Sequence, residues 1–190
     1  TILEVVKENI IAVYKTVSYQ NTVENIARTD LYSELNSAEY LYGQGKKTID
    51  KYTTSTVCMF KITNLEETNK EYNRETGNDM ITEISKFISG SISSEYVFVR
   101  YMGPKFAIVF SGVDVDAVVE FVQELKNNIE NLEIEEVMYE DEEDEPRYVK
   151  PKLNFVLTTY YKGTALESVT KKLEEYLDNA NANESDINNI

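Results

Sequence analysis

The chain has 190 residues, 42% of them hydrophobic, enough for one folded domain of ordinary size plus an added helix or tail. Its 19 basic and 34 acidic residues leave a net charge of −15, which repels phosphate backbones and anionic lipid surfaces and argues against nucleic acid as a partner. There is no histidine, so Ser-His-Asp and Cys-His catalysis and most zinc sites are excluded, and any chemistry must rest on carboxylates, hydroxyls or lysines. The single cysteine, Cys58, rules out an internal disulfide and suits a reducing, cytoplasmic setting. No apolar run approaches the roughly 20 residues of a membrane-spanning helix. The opening "TILEVVKENII" lacks the basic start of a secretion signal. A cytoplasmic domain without membrane contact is expected, compatible with tethering through an upstream region.

Residues 1–28 read as an amphipathic arm: Ile2, Val5, Val6, Ile10, Val13 and Val17 recur at spacings of three and four, with no Gly or Pro in the segment. Thr29 or Asp30 stands where a cap would start a new helix. "YSELNSAEYLYGQGKK" then reads as a short helix ended by Gly43 and Gly45. "GKKT" resembles the end of a phosphate-binding loop, but the earlier glycine is missing and a helix precedes it, so it reads as a basic turn. "TTSTVCMFKI" is a β-branched strand. "NLEETNKEYNRETGNDMITEISKFISGSI" is helical with a break near Gly77, and its second half presents Met80, Ile81, Ile84 and Ile88 on one face. "EYVFVRY" and "KFAIVF" form a hairpin, and "DVDAVVEFVQELKNNIENL" is an amphipathic helix that Asp114 caps. "EIEEVMY" and "KLNFVLTTYY" are strands, and "ALESVTKKLEEYLDNA" is a final helix.

Between those last two strands lies "EDEEDEPRYVKP". Its run from Glu140 to Glu145 has the charge to collect a divalent cation or meet a basic partner, but lacks the alternation and central glycine of an EF-hand loop. A solvated hairpin connection is the favoured reading. The predicted domain spans 29–178, with 179–190 as a polar tail that frays. Strand, helix, strand, strand, helix, strand is the ferredoxin-like βαββαβ plan, an α+β fold with an antiparallel sheet and helices on one face.

Four segments, in order, resemble the GGDEF domain of bacterial diguanylate cyclases, which condense two GTP into cyclic di-GMP. "ARTDLYSELNSAEYL" resembles the family's opening signature, with Thr29, Asp30 and Leu35 matching. "FKITNLEETNKEYNRETGND" resembles its Asp-x-Asp-x-Phe-Lys-x-Ile-Asn-Asp stretch ending in Gly-Asp. "VRYMGPKFAIVF" resembles Arg-Tyr followed by Gly-Gly-Asp-Glu-Phe, and the last strand and helix resemble the family's C-terminal pair.

The resemblance implies a changed site. Lys61 stands where the family has a metal-binding Asp, Ile62 where a backbone carbonyl is a ligand, and Thr63 where a second Asp stands. The guanine-recognising Asn is kept as Asn69, while the Asp of Gly-Asp is Asn78 after Gly77. The signature turn becomes Met102, Gly103, Pro104, Lys105 and Phe106. The inhibitory Arg-x-x-Asp becomes Ser93, Ser94, Glu95 and Tyr96. Magnesium needs anionic oxygen ligands, and phosphoryl transfer depends on the charge it neutralises. Two lysines at carboxylate positions therefore point to no catalysis, no metal and no cofactor, and to a regulatory or interaction module with a protein partner or self-association. A metal-independent nucleotide sensor is the alternative, with Lys61 and Lys105 on the phosphates and Asn69 and Asn78 on the base, and an active diguanylate cyclase is the third reading. The lysines otherwise read as solvated residues, salt-bridged to nearby acids such as Glu66.

Overall fold

The computed structural model describes residues 30–180 and 186–190. The N-terminal helix expected over 2–28, and Thr29, lie outside the described residues. The chain enters through a short strand β1 (Asn36–Ser37), which leads into α1 (Ala38–Tyr40), a π-helical turn (Leu41–Gly45) and α2 (Lys46–Ile49). This helical run passes through Gly43 and Gly45 where the sequence reading ends it. Gly45 is buried, and a side chain there would meet Val97 Cγ1 at 3.1 Å, so this glycine serves close packing against the sheet.

Strand β2 (Thr54–Ile62) follows, then α3 (Leu65–Glu71) and α4 (Arg74–Ser91). The helix break falls at Tyr72–Asn73, four residues before Gly77. Asn73 is the cap: its Oδ1 accepts hydrogen bonds from the Thr76 N–H at 2.8 Å and the Thr76 hydroxyl at 2.6 Å, leaving Gly77 inside the new helix. β3 (Val97–Met102) and β4 (Lys105–Ser111) make the expected hairpin, and Asp114 caps α5 (Val115–Glu130) as its sequence position suggested. Of "EIEEVMY" only β5 (Ile134–Glu135) is strand, paired with β6 (Tyr148–Val149) in a separate ribbon. β7 (Leu153–Tyr161) and α6 (Leu166–Asn179) precede β8 (Ile187–Asn189).

The main sheet runs β1-β3-β4-β2-β7-β8, and its central four strands, all antiparallel, have the ferredoxin-like order. β2 is bonded on both sides, over seven register pairs with β4 and nine with β7. Its residues alternate between two buried faces. Cys58, Phe60 and Ile62 pack with Phe106, Ile108 and Phe155 under α4 and α5. Val57 and Met59 pack with Ala107, Val109 and Val156 under α6 and the α1–α2 run. The second face is thus covered as well, which the one-sided plan read from the sequence did not include. Burial raises the Cys58 thiol far above its ordinary range, so this cysteine behaves as a small core residue.

The polar tail does not fray at its end. β8 lies parallel to β7, the Ile190 N–H donates to the Leu157 carbonyl at 3.0 Å, and the Thr158 hydroxyl donates to the Ile190 carbonyl at 2.6 Å. The folded body therefore runs past the expected boundary at 178, because β7 would otherwise leave an open sheet edge.

Phe60 stacks on Phe106 at a 5.0 Å centroid distance and tilts against Phe155 at 4.9 Å, with no exposed surface. Phe60→Ala should cost about 3–5 kcal/mol, seen in urea titration as a lower midpoint with an unchanged slope.

Candidate functional site

The site forms at the end of the sheet where β2 stops and the β3–β4 hairpin turns. Two residues, Gly103 and Pro104, separate the strands. Gly103 has φ +58°, the left-handed conformation that a two-residue hairpin of the II′ kind requires at its first position and that glycine adopts without cost. The Pro104 carbonyl accepts a hydrogen bond from the Ile62 N–H at 2.9 Å, which fastens the turn to the end of β2. Met102 points outward and is 67% exposed.

Arg100 holds the turn from the other side. Its Nε and Nη2 donate to the Gly103 carbonyl at 3.1 and 3.0 Å, while Nη1 donates to both carboxylate oxygens of Asp30 at 2.8 and 2.9 Å. Asp30 Oδ2 also accepts from the Ser33 N–H at 2.8 Å and the Ser33 hydroxyl at 2.7 Å. Asp30 therefore organises a turn where the sequence suggested a helix cap. Burial works to raise its carboxyl, but the hydrogen bonds from Ser33 and Arg100 outweigh it and hold Asp30 below the ordinary carboxylate range.

Lys105 and Lys61 are direct register partners across β4 and β2, and Asn154 of β7 is the partner of Lys61 on its other side. By strand alternation all three face α6. Like charges directly opposite each other in a sheet repel. Lys105, 8% exposed, is compensated by α6: its Nζ lies 2.6 Å from Asp178 Oδ1 and 3.4 Å from Glu174 Oε1. Glu66, the acid named from sequence as a partner for these lysines, instead pairs with Lys70 at 2.8 Å, one helical turn away in α3. Lys61 is half-buried and has no ion pair within 4 Å among the described residues, although Glu66 feels its field. Asn154 is 1% exposed and its Oδ1 has no hydrogen-bond partner among the described residues.

Glu174 also reaches a hydroxyl cluster. Tyr42 lies 3.1 Å from Tyr101 and 2.6 Å from Thr170 Oγ1, and burial, then the bond to Tyr42, raises the Tyr101 hydroxyl. α6 is thus joined to the hairpin strand and to the π-helical turn by side-chain polar contacts.

Asn69 and Asn78 sit on α3 and α4, which pack against the opposite face from the lysines. The amide of Asn69 rests on Gly77, where any Cβ would collide with its Oδ1. The four residues expected to hold a nucleotide are thus divided, with Lys61 and Lys105 paired on one face and Asn69 beside Gly77 on the other.

The fold family implies a divalent cation here, and the residues present do not fit one. The strand positions here carry two ammonium groups, the two acids beside them, Glu174 and Asp178, are engaged by Lys105, and among the described residues no group of three or more acidic, Cys or His side chains is arranged to hold a metal. The acidic run Glu140–Glu145 is exposed throughout, in the connection from β5 to β6. Its base is closed by Arg147, which pairs with Glu136 at 2.9 Å and lies 4.3 Å from the Tyr72 ring centroid. Ser93, Ser94, Glu95 and Tyr96 form the link from α4 to β3.

Sequence reading missed Asn154, Glu174 and Asp178. An available signal was the acidic pair at a spacing of four in "LEEYLDNA", beside the Leu173 and Leu177 stripe of α6.

This architecture is an α+β domain with a ferredoxin-like antiparallel core sheet and helices on both faces. The chain belongs to the GGDEF family: residues 27–186 match the family described as diguanylate cyclase, GGDEF domain. Solved structures agree on the fold. The coiled coil and GGDEF domain of DgcB from Caulobacter crescentus, crystallised in complex with c-di-GMP, is 14% identical with a TM-score of 0.77, covering 97% of each chain. The FimX GGDEF domain of Pseudomonas aeruginosa is 13% identical with a TM-score of 0.72, over 86% of this chain and 99% of that one. Diguanylate cyclase SiaD from the same organism, in complex with its activator SiaC, is 10% identical with a TM-score of 0.72, over 97% and 70%. No curated protein matches the chain. No helix among the described residues is long and apolar enough to cross a membrane.

Because folded Asp30 binds its proton less tightly than unfolded Asp, its contribution is present above the unfolded value of about 3.9 and is lost as pH falls through the lower folded value. Asp30→Asn should lower the melting temperature at pH 7, and the gap to the parent should shrink as pH is lowered below about 4.

Proposed function

We propose that this GGDEF domain does not condense GTP and works as a regulatory or protein-interaction module in cyclic di-GMP signalling. The observation that carries the reading is the Lys61–Lys105 register pair at the end of the sheet, with Lys105 neutralised by Glu174 and Asp178 of α6. Transfer of a phosphoryl group depends on positioning it and neutralising its charge. Here the positions that would hold the neutralising cations carry ammonium groups, and one of these is committed to an internal ion pair. Pro104 has no N–H to offer a phosphate, and Met102 adds a side chain where the family's glycine has none. What persists is the folding role of the hairpin: Gly103 makes the turn, Phe106 fills the core, and Arg100 ties the turn to Asp30.

The module would act in the cytoplasm through a protein partner or a second copy of itself, with the arm at residues 1–28 as the coupling segment. Diguanylate cyclase SiaD, similar in fold, was crystallised in complex with its activator SiaC, a protein partner of the kind this reading invokes. Calorimetric titration of GTP into the chain, with and without magnesium, tests the reading. No magnesium-dependent binding is expected; tight magnesium-dependent binding would overturn it.

A second reading, a metal-independent nucleotide sensor, is favoured by one observation. Lys61 retains an uncompensated charge beside the unpartnered Asn154 Oδ1. It predicts stabilisation by a nucleotide without magnesium, about 2.7 kcal/mol at 100 times the dissociation constant, lost in Lys61→Ala.

A further inference from the structure

Far from the signature turn, a cavity of about 370 Å³ opens between the lead-in helices, the end of α4 and the start of β3. Its polar lining comes chiefly from Asn36, Tyr40, Thr48, Ser93, Glu95 and Tyr96. Each is placed by an element already described: Asn36 by its pairing with Val99, Tyr40 and Thr48 by the helical run either side of the π-turn, and Ser93 to Tyr96 by a turn in which the Tyr96 N–H donates to the Ser93 carbonyl at 3.1 Å.

Two features define what this cavity suits. The first is unspent hydrogen-bonding capacity. Of these six side chains only Ser93 makes a hydrogen bond within the described residues, its Oγ accepting the Glu95 N–H at 3.3 Å. The oxygens of Asn36, Thr48 and Glu95 and the hydroxyls of both tyrosines remain available. The second is charge. Glu95 is the one charged residue in the lining, and the cavity has no lysine or arginine. An anionic ligand would therefore meet a carboxylate and no compensating cation, in a protein of net charge −15. Tyr40 and Tyr96 line the same cavity as this carboxylate, and aromatic side chains sharing a cavity with an acid favour a cation that also donates hydrogen bonds.

We propose that this cavity is a binding site for a guanidinium or primary-ammonium group, as carried by an arginine or lysine side chain of a basic partner segment. The volume suits one such side chain with its backbone. Guanidinium matches the lining better than ammonium, because its planar fork serves several fixed oxygen acceptors at once and stacks on tyrosine. The site is separate from the lysine row at the end of β2 and does not depend on whether that row binds anything.

The experiment is an NMR titration of the full chain, isotope-labelled, with arginine methyl ester, using glucose and inorganic phosphate as neutral and anionic controls. Amide shifts of Asn36, Thr48 and residues 93–96 are expected with arginine methyl ester and absent with both controls. Glu95→Gln, an exposed and conservative change, should weaken the affinity about threefold or more, the scale of an exposed ion pair. A variant neutralising Asp141, Glu143 and Asp144 should leave it unchanged, which separates this cavity from general attraction of cations to an acidic protein. Shifts confined to the acidic loop, equal affinity in Glu95→Gln, or shifts at 93–96 with glucose or phosphate would each overturn the proposal.

Discussion

Hydrogen bonding of β2 on both edges, with burial on both faces, is the constraint from which the rest of this molecule follows. A one-residue slip would turn Phe60 and Cys58 toward α6 and expose the α4–α5 core to the residues that now cover the other side, so the register is fixed. That register places Lys61 opposite Lys105 and Asn154. It also brings the Ile62 N–H under the Pro104 carbonyl, so the turn position is set by the same pairing that builds the core.

Around this fixed point the β3–β4 turn is a junction. Arg100 ties it to Asp30, through which the chain leads in from residues 1–29, and Lys105 ties it to α6, which leads toward the C-terminal strand. Arg100 is sheltered and makes four charge-assisted contacts, so its clamp outweighs an exposed pair such as Lys70–Glu66. Lys105 is a harder case for stability, since it is buried and its partners are partly solvated. Removing it would return Glu174 and Asp178 to solvent, whereas removing the acids would leave an unpaired buried ammonium. The buried ammonium is the group that needs the pairing, since Glu174 and Asp178 keep access to solvent.

Much of this was legible in the sequence. The β2 run, the α4 and α5 stripes and the hairpin each have a single dominant periodicity, and their order gave the fold. Where local signals competed, reading failed for identifiable reasons. Gly43 and Gly45 look like helix stops, yet the stop signal loses to packing of Gly45 on Val97. Gly77 looks like a break, yet the Asn73–Thr76 cap lies just upstream and decides it. The polar "DINNI" carries no hydrophobic alternation, and becomes a strand because β7 presents an unfilled edge. In the site, Lys61 and Lys105 could be located by motif, but the partners of Lys105 could not: Glu174 and Asp178 are about 70 residues away in sequence. Only the closed fold joins them.

The most direct test of the central claim is to incubate the chain with GTP and magnesium or manganese, at protein concentrations high enough to populate a dimer, and quantify cyclic di-GMP by mass spectrometry. The account predicts no product above a protein-free control. Accumulation of cyclic di-GMP in proportion to protein would contradict it, and would mean that charge neutralisation at this turn is achieved without the carboxylates the family uses.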